Sequence, residues 1–480
     1  MIERLVADSR RCAPGTAFFA WPGERDDGRR HIAEAIARGA AAVLWEAEGF
    51  AWNESWRVPN VAVPALRAKA GFYAHEFWDR PSEALWVCGV TGTNGKTTTT
   101  QWLAWLLSDA GVRAGVIGTL GAGFPAALEA LERTTPDALA LHESLARLRH
   151  AGARAVAMEV SSHALVQHRV TAVAFDCALF TNLSRDHLDY HGTMQAYGEA
   201  KARLFETPGL ERAVFNLDDA FGAELARRAA RRGLRTIGTA LSRASLARAP
   251  VAEYVLASDG EPFVEGGRVR LFTSWGEADA VLPHPGRHNA ENALGVLACA
   301  LAAGIDLAAA AGRLARLPAV AGRLERLGGA PGEPLVYVDY AHGPDALDRV
   351  LAALAPVARA RGGALVAVFG AGGERDRGKR PEMGAVAERH AARIVLTSDN
   401  PRGEDPASIL ADIRRGIVGP CTVIVERGEA IEHALATAAP EDVVLVAGRG
   451  HEAFQEIGGR RQPFSDAQAV RAALARRSRR

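Results

Sequence analysis

Lysine is scarce in this chain. Of the 57 lysine and arginine residues among 480, only Lys69, Lys96, Lys201 and Lys379 are lysine. Arginine therefore carries almost all of the positive charge, and a retained lysine is favoured where a flexible point-charge amine is needed rather than a guanidinium fork. Lys69 lies in an amphipathic stretch without a motif, whereas the other three fall in polar, motif-like segments. Those three are candidates for a functional site.

Other absences narrow the class of protein. No run of 18 or more apolar residues is present, so no spanning helix is predicted, and residues 1–10 lack the apolar core of a signal sequence. The formal net charge of +1 gives no indication of a nucleic-acid or membrane partner. We therefore expect a cytoplasmic protein that acts on small molecules, binds no nucleic acid and does not insert into membranes. We also expect a monomer, although the sequence itself does not give the oligomeric state.

Cysteine is also sparse and shows no paired spacing. The chain has no CxxC motif, and its five cysteines are Cys12, Cys88, Cys177, Cys299 and Cys421. Such isolated thiols are typical of small buried apolar residues in a reducing compartment. The sequence therefore predicts neither a disulfide framework nor a cysteine metal site.

The length and the pattern of apolar runs predict three α/β domains. A chain of 480 residues is too long for one core. Buried strands alternating with helices predict a first domain over 1–82, a central domain with a mainly parallel sheet over 83–320, and a third, doubly wound, Rossmann-like domain over 321–480. The stretch 251–283 reads as weaker and β-rich, and 318–322 is a candidate hinge.

A phosphate loop begins the central domain. Gly92-Thr-Asn-Gly-Lys-Thr97 follows a predicted buried strand, 85–90, and precedes a predicted helix, 97–110. The strict loop pattern fails by one residue, because Val90 stands where its first glycine would be. Glycines still allow backbone N–H groups to approach phosphate oxygens, Lys96 would reach the terminal phosphates and Thr97 would ligate Mg²⁺. By contrast, Gly370-Ala-Gly-Gly-Glu-Arg375 lacks the last glycine of a dinucleotide fingerprint, so NAD binding is disfavoured.

The phosphate loop and eight further segments together resemble one family. The segments are Met158-Glu-Val-Ser-Ser-His163, Gln167-His-Arg169, Thr181-Asn-Leu-Ser-Arg-Asp-His-Leu-Asp-Tyr-His-Gly192, His288-Asn-Ala-Glu-Asn292, Gly322-Arg-Leu-Glu325, Val338-Asp-Tyr-Ala-His342, Asp399-Asn-Pro-Arg402 and Gly448-Arg-Gly-His-Glu452. In this order they look like the Mur ligases, which build the peptide stem of peptidoglycan. The resemblance runs from about Asp8 to Gln455.

The resemblance implies a nucleotide-sugar-binding first domain, a central ATPase domain and an amino-acid-binding third domain. It implies an ATP-dependent amide ligase that uses Mg²⁺ and adds meso-diaminopimelate to UDP-N-acetylmuramoyl-L-alanyl-D-glutamate through an acyl-phosphate. It implies ATP contacts at Gly92, Thr93, Asn94, Gly95, Lys96, Thr97, Thr98, Asn289, Asn292, Arg323 and Asp339.

The catalytic and metal-binding residues implied by the resemblance lie beside that loop. Thr97, Glu159 and His187 also carry the oxygen and imidazole groups that metals bind, the last two close to the ends of predicted strands. The resemblance implies that Lys201 is carbamylated and becomes a further metal ligand, and that Lys96 is catalytic with Glu159, His187 and Lys201. The role of Lys379 stays open.

The remaining implied contacts concern the two substrates that are joined. The nucleotide sugar and its peptide would contact Ser9, Asn94, Thr134, Thr135, Ser161, Gln167 and Arg169. The incoming amino acid would contact Arg375, Asp399, Asn400, Arg402, Gly448 and Glu452.

Three alternatives remain beside this interpretation. The same ligase could add L-lysine or L-ornithine, which lack the far carboxylate that Arg402 would bind. A folylpolyglutamate synthetase is a relative, but the segments 182–192 and 399–402 argue against it. A nucleotide-driven switch or binding protein belongs to another class, and it has no need for both third-domain motifs.

Overall fold

The computed structural model describes residues 1–24, 26–258 and 267–477, which form three α/β units along the chain. The first unit comprises 4–84, the middle unit 86–314 and the third unit 325–477. The boundaries predicted at 82/83 and 320/321 fall between the last strand of one sheet and the first strand of the next.

The first unit is a parallel sheet in the order β1-β2-β3-β4 with short helices packed against it. Its elements are β1 (Arg4–Val6), β2 (Thr16–Ala20), α1 (Ile32–Ala37), β3 (Ala42–Glu46), β4 (Asn60–Val63) and α2 (Leu66–Phe77), with 3₁₀ turns at Ser9–Arg11, Gly28–His31 and Pro81–Ala84. Glu46 accepts hydrogen bonds from the N–H groups of Ala65 and Leu66 at 2.9 and 2.7 Å. Its carboxylate thereby satisfies free donors at the start of α2.

The middle unit is built on a longer sheet. Its elements are β5 (Trp86–Thr91), α3 (Lys96–Asp109), β6 (Ala114–Gly118), β7 (Gly121–Phe124), β8 (Ala127–Glu129), α4 (Ala138–His150), β9 (Ala155–Glu159), α5 (Ser162–Val166), β10 (Cys177–Phe180), α6 (Leu188–His191), α7 (Met194–Ala202), β11 (Arg212–Asn216), α8 (Ala220–Arg231), β12 (Arg235–Ala240), α9 (Arg243–Leu246), β13 (Glu253–Ala257), β14 (Gly267–Thr273), β15 (Gly276–Leu282), α10 (Arg287–Ala302) and α11 (Leu307–Leu314), with a 3₁₀ turn at Arg203–Glu206.

The strand order of this sheet places a crevice at the end of β5. The order is β15-β14-β13-β12-β11-β10-β5-β9-β6-β7-β8, parallel from β13 through β6 and antiparallel at both edges. The chain runs to one side of β5 through β6 and β9, and then to the other side through β10 and β11. Ligands of open α/β sheets bind at such a reversal, outside the carboxyl ends of the strands.

The third unit is a second, mainly parallel sheet in the order β16-β17-β21-β18-β19-β20, with β16 antiparallel and a separate β22-β23 hairpin. Its elements are β16 (Glu325–Gly328), β17 (Leu335–Asp339), α12 (Pro344–Ala360), β18 (Leu365–Phe369), α13 (Lys379–His390), β19 (Arg393–Leu396), α14 (Pro406–Arg414), β20 (Thr422–Val423), α15 (Arg427–Thr437), β21 (Val443–Ala447), β22 (Phe454–Ile457), β23 (Arg460–Pro463) and α16 (Asp466–Arg477). Helices cover both faces of the sheet, and a separate apolar cluster lies between the sheet and the helices on each face.

These sheets confirm the predicted α/β class with mainly parallel strands. The sequence did not predict the antiparallel strands β7, β8, β16, β22 and β23, which are three or four residues long and carry little apolar pattern. Within the part of the chain that the structure describes, none of the helices combines the length and the apolar character that a membrane crossing requires.

The cysteines are scattered along the chain, but three of them meet in the core of the middle unit. Cys88, Cys177 and Cys299 are fully buried, and the Sγ of Cys299 lies 3.8 and 4.0 Å from the other two. Cys12 is also buried, as predicted, whereas Cys421 is partly exposed. Thiols at these separations pack as small apolar groups in an apolar cluster.

Candidate active site

The phosphate loop connects β5 to α3, and two glycines give it its shape. A Cβ on Gly92 would lie 1.9 Å from Thr181 Oγ1, and one on Gly95 would lie 2.4 Å from Asn292 Oδ1. Both glycines have positive φ angles, 149° and 87°. Only glycine fits at either position, so the loop lies directly against β10 and α10. The N–H groups of Thr93 and Asn94 donate to Asn182, so an anion would be bound by the N–H groups at the start of α3.

Lys96 lies folded over this loop. Its Nζ donates to the carbonyl oxygens of Gly92 and Thr93, both at 2.8 Å. Burial lowers the pKa of the amine, while the nearby carboxylates of Glu159 and Asp186 oppose that shift. A phosphate in the loop would offer this amine a charged acceptor in place of two carbonyls. Thr98 is buried one residue beyond Thr97, in the first turn of α3.

Glu159, at the end of β9, directs its carboxylate to the same turn of α3. Its Oε2 accepts hydrogen bonds from the hydroxyls of Thr97 and Thr119, both at 3.1 Å, and its Oε1 accepts from the N–H of Thr119 at 2.8 Å. The residue is 1% exposed. A carboxylate and a hydroxyl oxygen therefore converge beside the phosphate loop, and such hard oxygens suit Mg²⁺.

His187 borders this cluster from the segment after β10. Its φ of 53° places it at the start of the short α6, with its ring centroid 4.8 Å from that of His163 and 6.1 Å from that of Tyr197. Desolvation lowers the pKa of His187 to about 4, although the charge of Asp186 opposes this shift. The imidazole is therefore neutral near pH 7, which is the form that binds metal.

Lys201 is a buried amine that forms no ion pair with a carboxylate among the described residues. It is 1% exposed, its Nζ donates to the carbonyl of Gly92 at 2.8 Å, and it lies 4.2 Å over the ring of Tyr197. Burial and the charge of Lys96 lower its pKa well below the ordinary value. The surroundings therefore favour a neutral, nucleophilic amine.

Two asparagines of α10 support the phosphate loop and the start of their own helix. Both are buried: Asn292 faces Gly95, and Asn289 donates to the carbonyl of Pro285 at 2.8 Å. They lie three residues apart on one face of the helix, as the sequence indicates.

The link to the third unit also reaches the loop. Arg323 donates to the hydroxyl of Thr97 at 3.0 Å, and its guanidinium lies 4.5 Å from the ring centroid of Tyr340. Both carboxylate oxygens of Asp339 accept backbone N–H groups, from Leu324 at 2.7 Å and Ala341 at 2.8 Å. Asp339 thereby fixes the backbone beside Arg323.

A cavity of about 370 Å³ lies between the middle and third units, next to α10 and α12. Asn182 lines it and also accepts the N–H of Asn94 in the phosphate loop at 3.0 Å. His288, Arg349 and Pro356 form other parts of its wall. A nucleotide whose phosphates occupy the loop could extend its base into this cavity.

A much larger cleft of about 2050 Å³ separates the first unit from the middle unit. Of the residues predicted to bind the nucleotide sugar, Ser9, Gln167 and Arg169 line it. Arg169 donates to the carbonyl of Thr135 at 2.9 Å and to the Gln167 side chain, and burial lowers its pKa to about 10. It keeps its positive charge near neutral pH and can bind an anion.

The other residues predicted for this substrate connect the cleft to the phosphate loop. Thr134 shares a hydrogen bond with Thr119 at 3.0 Å, so it lies next to the Glu159 carboxylate. Thr135 donates to the carbonyl of Glu159 at 2.8 Å and accepts from the N–H of Ser161 at 3.1 Å. A substrate in the cleft can therefore extend one end to the phosphate loop.

The residues predicted for the amino acid lie close together in the third unit, and we refer to this group as the third-unit pocket. A Cβ on Gly372 would lie 3.0 Å from Arg402 Nη1, 3.7 Å from Arg375 Cγ and 3.9 Å from the carbonyl of Asn400. Arg402 donates to the carbonyl of Gly373 at 2.7 Å, which fixes its side chain. Arg375 is exposed and lines the large cleft.

The acidic side of this pocket is formed by Asp399 and Glu452. Asn400 donates to Glu452 at 2.8 Å, and burial raises the pKa of the Glu452 carboxyl. Asp399 Oδ1 accepts the N–H of Asn400 at 2.7 Å, whereas its buried Oδ2 has no hydrogen-bond partner among the described residues. A buried acceptor without a partner costs stability, and an ammonium group would satisfy it.

The sequence did not single out several residues that the structure brings to the site. The charge of Asp186 opposes the lowering of pKa at Lys96, Lys201 and Lys379. Lys379 itself donates to the carbonyl of His342 at 2.8 Å. Asp186 and His342 lie inside the motifs at 181–192 and 338–342, and these motifs were the available signal in the sequence. A motif does not indicate which of its side chains point into the site.

These features define a class. A strand–loop–helix phosphate site, oxygen atoms beside it that suit a metal, and a cleft and a cavity on either side are those of an enzyme that uses ATP to join two small molecules.

Family models agree with this class along nearly the whole chain. They match the Mur ligase family catalytic domain over residues 2–78, the Mur ligase middle domain over 90–300, and the Mur ligase glutamate ligase domain over 322–450. The chain belongs to the Mur ligase family. The family and the ligase activity predicted from the sequence are confirmed.

Relatives of known name are similar along the full length. The chain is 50% identical over 477 residues to UDP-N-acetylmuramoyl-L-alanyl-D-glutamate--2,6-diaminopimelate ligase of Pseudomonas aeruginosa, covering 99% of this chain and 95% of the relative. It is 48% identical over 475 residues to the protein of that name from Chromobacterium violaceum, covering 98% and 94%. A solved structure of a ligase of that name is 36% identical, with a TM-score of 0.68 over 99% of this chain and 95% of that one.

Proposed function

We propose that this enzyme adds meso-diaminopimelate to UDP-N-acetylmuramoyl-L-alanyl-D-glutamate in the synthesis of the peptidoglycan precursor. A substrate carboxylate oxygen attacks the γ-phosphorus of ATP, and ADP leaves. The amine of the diamino acid then attacks the acyl carbon, phosphate leaves and one proton is released. We place the enzyme in the cytoplasm, because ATP and the UDP-sugar are available there. We also propose that it acts as a monomer, and gel filtration tests this oligomeric state.

Mg²⁺ fits the oxygen cluster beside the phosphate loop. Thr97 and Glu159 would hold one ion, and His187 and a carbamylated Lys201 would hold a second. Bound Mg²⁺ would offset the negative charge on the transferring phosphoryl group. The chain itself supplies Lys96 and Arg323, two cations that approach the same loop from α3 and from the link to the third unit.

The observation that carries the substrate assignment is the polarity of the third-unit pocket. It has cations at Arg375 and Arg402 and carboxylates at Asp399 and Glu452, with one buried oxygen of Asp399 unpartnered among the described residues. The far end of meso-diaminopimelate bears both an ammonium and a carboxylate, so it complements both the carboxylates and the cations of this pocket. Lysine and ornithine would offer no far carboxylate to the Arg402 guanidinium, which lies 2.7 Å from the Gly373 carbonyl and 3.8 Å from Glu456.

An amino-acid panel tests the proposal. Purified enzyme with ATP and the UDP-dipeptide should release phosphate with meso-diaminopimelate at a kcat/KM at least about 10-fold above that with L-lysine or L-ornithine, because an unmet charged group costs about 1–3 kcal/mol. Phosphate release without any amino acid would favour the switch alternative. A preference for lysine would overturn the substrate assignment but leave a ligase.

Arg402→Ala should raise the KM for meso-diaminopimelate by roughly 10- to 100-fold, because a bidentate charged contact to the far carboxylate is lost. The KM for ATP should stay near that of wild type. Arg476→Ala is the control, since Arg476 pairs with Glu432 on the far side of the third unit. An unchanged preference for meso-diaminopimelate over lysine in Arg402→Ala would remove Arg402 from this role.

Gly448→Ala tests the orphaned acceptor. A Cβ there would lie 2.3 Å from Asp399 Oδ2, and Gly448 has a φ of 120°, so the carboxylate must move. We expect a rise in the KM for meso-diaminopimelate of about 10-fold or more, with the KM for the UDP-dipeptide unchanged. Gly362→Ala is the matched control, because its φ is also positive at 73° and nothing lies within 4 Å of its Cβ position. Equal KM values in the two variants would show that the Asp399 position is not critical.

A further inference from the structure

We propose that Arg185 is a positioning residue that holds the third unit against the phosphate loop and aligns the amino-acid pocket. This rests on the ligase function proposed above. Arg185 Nη2 donates to Asp376 at 3.0 Å, and Nη1 donates to Glu382 at 3.1 Å. Arg185 belongs to the middle unit and both carboxylates belong to the third, so one guanidinium connects the two.

On the middle-unit side, Arg185 is connected directly to the phosphate loop. The N–H of its neighbour Ser184 donates to Thr93 Oγ1 at 3.0 Å, and that hydroxyl lies 3.2 Å from the Ser184 carbonyl. Asn94 Nδ2 adds a contact to the Ser184 hydroxyl at 3.4 Å. A phosphate that orders Thr93 and Asn94 would therefore also order the segment that carries Arg185.

On the third-unit side, the two carboxylates lie at the ends of the segment 376–382, which directly follows Arg375 of the third-unit pocket. Asp376 directly follows Arg375, which lines the large cleft, and it also accepts the N–H of Gly378 at 2.9 Å. Glu382 lies in the first turn of α13, whose first residue is Lys379. Arg185 thus contacts both ends of the segment that follows Arg375 and contains Lys379.

The strength of these pairs suits a reversible contact. The Arg185 side chain is 45% exposed, and exposed ion pairs are weak and screened by salt. A contact that never opened would prevent release of the product, whereas a weak contact can open between turnovers. The contact therefore biases closure of the third unit without locking it.

The test uses Arg185→Ala, Arg185→Glu and the charge exchange Arg185→Glu with Asp376→Arg. The control is Arg270→Ala, because Arg270 is 47% exposed and also pairs with two carboxylates, Asp279 at 2.9 Å and Glu277 at 3.0 Å, within the middle unit. Steady-state kinetics gives kcat and each KM. Small-angle X-ray scattering with a non-hydrolysable ATP analogue gives the radius of gyration.

We expect Arg185→Ala to raise the KM for meso-diaminopimelate about 3- to 10-fold and to lower kcat, with the KM for the UDP-dipeptide unchanged. Arg185→Glu should be worse and should scatter as a larger particle, and the exchange should recover at least half of both changes. The wild-type KM should rise with salt more steeply than that of Arg185→Ala. Wild-type behaviour of Arg185→Glu in scattering, or no recovery in the exchange, would overturn the proposal. The scattering comparison tests the proposed role of Arg185 even if the wild-type enzyme ligates no diamino acid.

Discussion

Lys96→Ala should lower kcat by about 100- to 1000-fold, because a transferring phosphoryl group loses the amine that would offset its charge. The folded structure should persist. Among the described residues this amine donates to two carbonyls of its own loop, each worth about 1 kcal/mol. Phosphate release that requires both co-substrates measures the first effect, and thermal unfolding measures the second.

Lys69→Ala is the control for this variant. Lys69 is exposed on α2 and lies in no motif, so its removal should change neither kcat nor the unfolding midpoint. If Lys96→Ala keeps a tenth of wild-type turnover, the phosphate loop is not where phosphoryl transfer takes place. A large drop in its unfolding midpoint would instead assign the lost activity to misfolding.

The pattern of apolar residues and glycines within a segment predicted those parts of the fold and site that are formed by residues consecutive in the chain. The phosphate loop lies between β5 and α3 because an apolar run, two glycines and an amphipathic stretch follow one another. The strand predicted at 85–90 spans Trp86–Thr91, and the helix predicted at 97–110 spans Lys96–Asp109. The scarcity of lysine was also informative, since Lys96, Lys201 and Lys379 all lie near Asp186.

Contacts between distant segments could not be predicted in this way. Arg185 and Glu382 are 197 positions apart, and nothing in either segment indicates that the two side chains meet. The same holds for Cys88 and Cys299, which are 211 positions apart. Such contacts depend on how strands are ordered in a sheet and how units close on each other, and periodicity within a segment carries no information on either.

Lys201→Ala should also lower kcat by about 100-fold or more, because we propose that Lys201 acts as a carbamate. Its neutral amine attacks the carbon of CO₂, an N–C bond forms and one proton leaves, so a cation site becomes an anion. Burial that lowers the amine pKa favours the neutral form that reacts. The unmodified Lys201 amine lies near the charge of Lys96 and forms no ion pair with a carboxylate among the described residues, whereas a carbamate there would carry a negative charge.

Formate or acetate at high concentration should restore part of the activity of Lys201→Ala, because the acid can occupy the vacated space and supply the missing oxygens. Lys201→Arg should stay inactive and should not be rescued, since a guanidinium does not form this carbamate and fills the space. Wild-type enzyme in ¹³C-bicarbonate should show a carbamate carbon resonance that persists in Lys69→Ala and disappears in Lys201→Ala. A fully active Lys201→Arg enzyme, or a resonance that survives the loss of Lys201, would show that this lysine acts only as a buried amine beside Tyr197 and the Gly92 carbonyl.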